Sequence, residues 1–348
     1  MINITAPINT LGYGIASYNI IKNLFFMGED ISYFPIGTPE PPEKQDFLNS
    51  VMLRPYIPKA PSVKIWHQND VHHHVGNGLH VAFPIFELDR FSREEVWSLS
   101  HNDRIFTCSK WASDIVKKHL NTDTAIVPLG VDTELFKQHK SSRPSTVFFN
   151  CGKWEVRKGH DILVDCFNAA FDHSDDVELW MMCENPFYNE QQQKQWVSLY
   201  KDSKLGDKIR MIPRQKTHED VYNIMKQTDC GVFPARAEGW NLELLEMMAC
   251  GKQVIATDYS AHTEFCNDNN SMLVDIKSTE LANDGVWFNG QGMWGTLDSD
   301  SIEQIISHMR KVHSEKQSGS LPQNVDGICT AREFSWENSA KKFANALK

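Results

Sequence analysis

The chain lacks the features that mark secreted, membrane-spanning or nucleic-acid-coating proteins. Its eight cysteines are scattered from Cys108 to Cys329, and no C-x-x-C pair occurs. Several lie inside apolar segments, so reduced and mostly buried thiols are expected rather than a disulfide framework. No apolar run approaches the roughly 18 residues that a membrane span needs. The opening "MINITAP" has no basic segment followed by an apolar one, so no secretory signal is expected, and the expected location is cytoplasmic. Positive charge is also short: 35 basic against 45 acidic residues leave a net charge of −10. That argues against a protein whose affinity rests on neutralising a long phosphate tract, though a local basic cleft stays compatible with it. There is no G-x-S-x-G, no Walker A spacing and no evident Cys/His nucleophile pair.

What is present is a twice-played α/β pattern in 348 residues, a length that suits two domains. "MINITA", a glycine turn at "NTLGYG", the apolar-periodic "IASYNIIKNLFFMG" and "ISYFPIG" read as strand, turn, helix, strand. That βαβ unit implies a parallel sheet covered by helices. Residues 38–61 hold six prolines and read as a long loop. "VKIWH", "HVAFPIF", "DRIFTCS" and "TAIVPLGV" supply further strands, with "KWASDIVKKHL" a helix between the last two. The polar stretch 137–145 is the candidate linker.

The pattern then restarts. "TVFFNCG", "VELWMMCE", "KIRMIP", "DCGVFPA" and "KQVIATD" read as strands, and "HDILVDCFNAAF", "HEDVYNIMKQT" and Leu242–Cys250 as helices. Residues 283–300, rich in Gly, Asn and Asp, read as a loop. The tail "SWENSAKKFANALK" is an amphipathic helix. The expected domains are 1–140 and 141–334, both Rossmann-like, with the tail 335–348 returning to the first.

Four clusters carry chemistry-bearing residues. In "ARAEGWNLELLEMMACG" the glycine Gly239 allows a tight turn and Asn241 is a good N-cap. The helix that follows is apolar nearly all round, yet Glu243 and Glu246 interrupt it, and Glu238 sits on the loop just ahead. Its first amides and dipole form an anion site at the sheet's carboxyl edge; a solvated charged stripe is the alternative. "CGKWEVRKGHD" places Lys153, Arg157 and Lys158 at the end of the first strand of the second unit, where cations suit a diphosphate; an exposed basic turn is the alternative. Gly12 and Gly14 let backbone approach a ligand or simply make a turn. The histidine run His67, His72, His73, His74 and His80 has no helical His-x-x-x-His with an acidic partner, so no metal site is expected, only a polar loop with one active-site histidine. Glu87 and Asp89, just after an apolar strand, are placed to meet a substrate hydroxyl or to cap a helix.

Taken together these stretches resemble the retaining GT-B glycosyltransferases of family four, the glycogen-synthase-like group. "EGWNLELLE" has that group's E-x7-E spacing, and "GKWEVRKGHDILVDCFNAAF" resembles its basic, glycine-containing segment. "VPLGVDTELF", "FTCSKWASDIVKKH", "NTLGYGIAS" and "EFSWENSAKKF" match in order along nearly the whole chain. The resemblance implies two Rossmann-like domains facing across a cleft. It implies transfer of a hexose, glucose favoured, from a nucleotide diphosphate sugar to an acceptor hydroxyl with retention and without a metal or other cofactor. Glu238 and Lys158 would be catalytic. Lys153, Glu246, Gly239, Trp240, Asn241, Leu242, Gly14 and Arg214 would hold the donor, a UDP-sugar being the expectation. His67, Glu87, Asp89 and Tyr13 would face an acceptor that stays open: a glycan, a lipid-linked sugar, a small molecule or a modified nucleobase. A non-catalytic nucleotide- or sugar-binding protein on the same fold is the rival.

The sequence departs from the group's pattern in four places. Lys153 stands where Arg is commoner, Asn241 and Tyr13 where glycine is usual, and Gln253 where proline is.

Overall fold

The computed structural model describes residues 1–41 and 46–348, so part of the expected proline-rich loop, 42–45, lies outside the described residues. The chain forms two compact units: residues 1–132 with 333–348, and residues 133–332. The expected boundary fell at 140/141. Backbone and side-chain bonds from His139 to Cys250 and from Ser141 to Gln227 tie the stretch 133–145 to the second unit.

In the first unit the strands are β1 (Ile2–Ala6), β2 (Ile31–Pro35), β3 (Ser62–Lys64), β4 (His80–Ala82), β5 (Arg104–Thr107) and β6 (Asp123–Ile126). They make one parallel sheet in the order β2-β1-β3-β4-β5-β6. Helices α1 (Gly12–Phe26), α2 (Asp46–Met52), α3 (Arg93–Ser100) and α4 (Lys110–His119) connect them. α2 corrects the expected loop: "DFLNSVM" buries Phe47, Leu48 and Val51, and that apolar face outweighs the flanking prolines. α1 begins at Gly12, so Gly14 lies in its first turn rather than in an open glycine loop. A Cβ at Gly14 would stand 2.3 Å from the Asn9 backbone nitrogen, so packing alone requires glycine there.

The second unit repeats the design with β7 (Thr146–Cys151), β8 (Val177–Met182), β9 (Ile209–Met211), β10 (Cys230–Phe233), β11 (Gln253–Thr257) and β12 (Met272–Val274). Their order is β12-β11-β10-β7-β8-β9, again parallel. The strands are apolar without alternation, as β7 shows, because helices cover both faces. Those helices are α5 (His160–Ala170), α6 (Glu190–Lys201), α7 (His218–Met225), α8 (Leu242–Ala249) and α9 (Ser299–Gln317). Leu163, Phe167, Ile305 and Met309 are among the fully buried core residues. Each such side chain contributes about 1.5–3 kcal/mol over its exposed state.

An antiparallel hairpin, β13 (Thr279–Asn283) and β14 (Asn289–Gly295), occupies much of the expected loop 283–300. The Asp284 carboxylate accepts from the amides of Val286, Trp287 and Phe288 and so shapes the tip. α10 (Val325–Glu333) precedes α11 (Trp336–Ala346), which packs on the first unit with Phe343 beside Phe83 and Phe106, centroids 6.3 and 5.4 Å apart. No helix of the described residues is long and apolar enough to cross a membrane. All eight cysteines are free; Cys329 is exposed, Cys151 half-buried and the others buried.

Candidate active site

β7 and β10 are neighbours in the second sheet, so the loops leaving their carboxyl ends meet at one edge, where open α/β sheets hold ligands. The loop after β7 closes at Gly159, which caps α5 in the left-handed conformation at φ +73°. A Cβ there would stand 2.1 Å from the Pro234 carbonyl oxygen, so the glycine allows the two loops to touch. The Arg236 amide then donates to the Arg157 carbonyl at 2.7 Å. The Arg236 guanidinium grips Asp161 in α5 at 2.7 and 2.8 Å.

The charges of 153–158 and Glu238, 80 positions beyond Lys158, converge here. Lys158 Nζ donates to Glu238 Oε1 at 2.7 Å. Arg157 Nη1 donates to Glu238 Oε2 and to the Ala237 carbonyl, each at 2.7 Å. On its other side Arg157 donates twice to Glu155 Oε2, at 3.0 and 2.7 Å, and Lys153 pairs with Glu155 Oε1 at 2.9 Å. Glu155, Arg157 and Glu238 are all buried. Burial pushes the Glu238 carboxyl up, but Arg157 and Lys158 overcome that and hold it far below the usual range. Glu155 follows the same logic: burial raises it, while Arg157, Lys153 and Lys158 bring it down to about 2. Burial would lower Lys158, yet Glu238 and Glu243 hold it above its ordinary value. Three cations thus face two carboxylates.

This revises the reading of the basic loop. Arg157 is held inside the protein, bridging Glu155 to Glu238, while Lys158 pairs with Glu238 and Lys153, the most exposed of the three, pairs with Glu155. Glu155 was the missed member; a carboxylate set among three cations in "KWEVRK" was its signal.

A second set of bonds fixes the opening of α8. The Glu238 amide donates to Ser260 Oγ at 2.8 Å, and Ser260 itself adopts φ +54°. Asn241 caps α8 from the left-handed region, φ +87°, its Oδ1 accepting from the Leu244 amide at 3.2 Å. Trp240 is buried with its ring 4.9 Å from Phe265, and Leu242 and Gly239 are buried beside it. Glu246 is buried, its charge reaching Cys151 and Cys250. Half-buried Glu243, which the sequence left unexplained, directs its charge at Lys158 and Cys151. Arg214 lies after β9, its amide donating to Glu184 at 3.3 Å.

In the first unit, Tyr13 and His67 come together with ring centroids 4.7 Å apart, and the Glu87 charge reaches Tyr13. The Tyr13 hydroxyl donates to the Ile85 carbonyl at 2.8 Å and accepts from the Ile85 amide at 2.8 Å. Asp89 faces Arg90 at 3.9 Å, and its carbonyl accepts from His119. Asp70, His72 and His73 have ligand-type atoms within 4.8 Å of one another, but the Lys64 ammonium sits 3.0 Å from Asp70.

Residues 145–286 match the family model described as glycosyl transferases, group 1. That stretch lies within the second unit. Over 170 residues the chain is 25% identical to the GDP-mannose-dependent alpha-(1-6)-phosphatidylinositol dimannoside mannosyltransferase of Mycobacterium tuberculosis; that stretch is 46% of this chain and 42% of the relative. The chain thus spans less than half the length of that curated relative. The sucrose-phosphate synthase structure from Thermosynechococcus elongatus superposes with a TM-score of 0.71 at 13% identity, over 99% of this chain and 97% of the other. Anabaena HepE in complex with UDP-glucose superposes with a TM-score of 0.65 at 12% identity, over 99% and 98%. The fold is GT-B, with two six-stranded parallel sheets and flanking helices.

Proposed function

We propose that this chain is a glycosyltransferase that moves a hexose from a nucleotide diphosphate sugar to an acceptor hydroxyl with retention at the anomeric carbon. The observation that carries this reading is the buried pairing of Glu238 with Lys158 and Arg157 at the mouth of α8, on the domain that matches the family.

The roles follow from the charges. The first amides of α8 have no partner within the helix, and its dipole favours an anion. Lys158 and Lys153 add two cations beside it. Together they neutralise the diphosphate as the bond from the anomeric carbon to its phosphate oxygen breaks. The acceptor oxygen forms its bond on the same face, and its proton passes to the departing phosphate oxygen. Glu238 stays ionised throughout, so it binds sugar hydroxyls and does not donate a proton. Buried Glu246 is placed on the same helix for the ribose hydroxyls. Because these cations take the charge that a metal would hold, the reaction is proposed to be metal-independent.

UDP-glucose is the first donor to test, and GDP-mannose, the donor in the mycobacterial relative's name, is the second. A thermal-shift screen across nucleotide sugars discriminates, because a ligand at 100 times its Kd stabilises the folded protein by about 2.7 kcal/mol. A selective rise with one base names the donor. No rise with any nucleotide sugar sinks the proposal.

A further inference from the structure

Asn241 stands at a position that needs left-handed backbone, φ +87°, and it is not left to hold that shape alone. Its Oδ1 accepts from the Leu244 amide, while its Nδ2 lies 2.9 Å from His262 Nε2. His262 is fully buried, and its Nδ1 lies 3.0 Å from the Thr257 carbonyl oxygen. A carbonyl only accepts, so the Nδ1 hydrogen points there and Nε2 keeps the lone pair that the Asn241 amide needs. The Thr257 hydroxyl in turn donates to the Ala235 carbonyl at 2.6 Å. The end of β11, the turn after it and the first turn of α8 are thereby joined through one imidazole.

We infer that His262 is a positioning residue for the donor site: acting through Asn241, it holds the left-handed turn that aims the N-terminus of α8 at the donor phosphates. The inference rests on the donor reading above. A glycine at position 241 would reach φ +87° without help. The Asn241–His262 pair does the same task with two side chains, and it fixes the cap as well as the backbone. Alanine at 241 would supply neither the permissive backbone nor the bond.

The test is a double-mutant cycle read by calorimetric titration of UDP, with GDP as the second arm. His262→Ala is expected to weaken nucleotide binding about tenfold. Asn241→Gly, which loses the cap and the His262 bond but adopts the left-handed backbone unaided, should weaken it about twofold. The double variant should bind like Asn241→Gly, because glycine no longer needs the imidazole. A purely structural histidine would instead leave the same deficit in either background. Asn241→Ala, with His262 intact, should also lose about tenfold, and it keeps the question open to experiment should His262→Ala fail to fold. Equal binding by Asn241→Ala and Asn241→Gly would overturn the inference. So would a double variant as weak as His262→Ala. If the wild type binds neither nucleotide, the donor reading falls and takes this inference with it, an outcome distinct from the others because it appears before any substitution is made.

Discussion

The carboxyl edges of the two sheets handle polar groups in opposite ways. In the second unit, Glu155, Arg157, Lys158 and Glu238 are tightly packed, with each ion pair among them closing within 3.0 Å. In the first, Tyr13 spends its hydroxyl on backbone at Ile85 while His67 is exposed. The same parallel scaffold therefore carries a pre-organised ionic site on one unit and a loop-built surface on the other. Diphosphates are alike whichever sugar they carry, so a fixed charge pattern suits them; acceptors differ, and loops suit variation.

The contrast breaks first at Arg157. Arg157→Met would leave Glu155 and Glu238 sharing buried space with one bridging cation gone, and a loss of about 3–5 kcal/mol in urea unfolding is expected. Lys64→Met in the first unit should cost far less, since its partner Asp70 is half exposed and can turn to water. Comparable losses would mean that the second site is no more pre-organised than the first.

Glu246→Ala comes next. Losing hydrogen bonds from a charged group costs about 1.5–3 kcal/mol, so nucleotide Kd should rise by about tenfold or more. Asp89→Asn should leave nucleotide Kd alone while altering acceptor turnover once an acceptor is in hand. A nucleotide effect from Asp89→Asn and none from Glu246→Ala would reverse the assignment of donor and acceptor sides.

Acid should act on both units, since burial lowers His74 in the first unit to about 4 as well. Burial, with Lys158 adding to it, lowers His160 to about 3, and burial lowers His262 to about 4, both from 6.5. The unfolded chain therefore binds more protons than the folded one below about pH 6.5, and stability falls as pH drops from there. Glu155, lowered to about 2, and Glu238, lower still, add stability that is present above their unfolded range and is lost as pH falls through their folded values. Unfolding midpoints should be flat near pH 7–8, slope downward below about 6.5 and steepen below about 4.5. A flat profile down to pH 4 would show that these groups are not buried and paired as described.

The smallest effect is expected at Tyr13→Phe. It removes bonds to backbone worth about 1 kcal/mol and should leave nucleotide affinity unchanged. A large change in nucleotide affinity would bring Tyr13 into the donor site.

Much of this contrast was legible in the residues. Both sheets could be read because fully covered parallel strands are continuous apolar runs bounded by turn signals, as in "TVFFNC" and "CGVF". The E-x7-E and basic segments could be read because ionic groups in apolar surroundings are conspicuous. What escaped depends on long-range partners. The β13–β14 hairpin has a glycine- and asparagine-rich composition and leaves most of β13 exposed, so it carries no strand alternation. α2 hides among prolines, and α6 and α9 have no counterpart among the expected elements. Arg157 looks like a donor ligand until Glu155 and Glu238 are seen on either side of it. Asn241 looks like a flaw in the loop until His262, 21 positions away, is found against its amide.

In the proposed reaction Lys158 is the cation that answers the leaving diphosphate. The direct measurement is nucleotide diphosphate release from UDP-glucose and GDP-mannose by the wild type and by Lys158→Ala, whose Glu238 stays paired with Arg157 and so keeps the fold. Release by the wild type from one donor, reduced about 10²–10³-fold in the variant, is the predicted result. Equal release by both proteins, or none from any nucleotide sugar by the wild type, would contradict it.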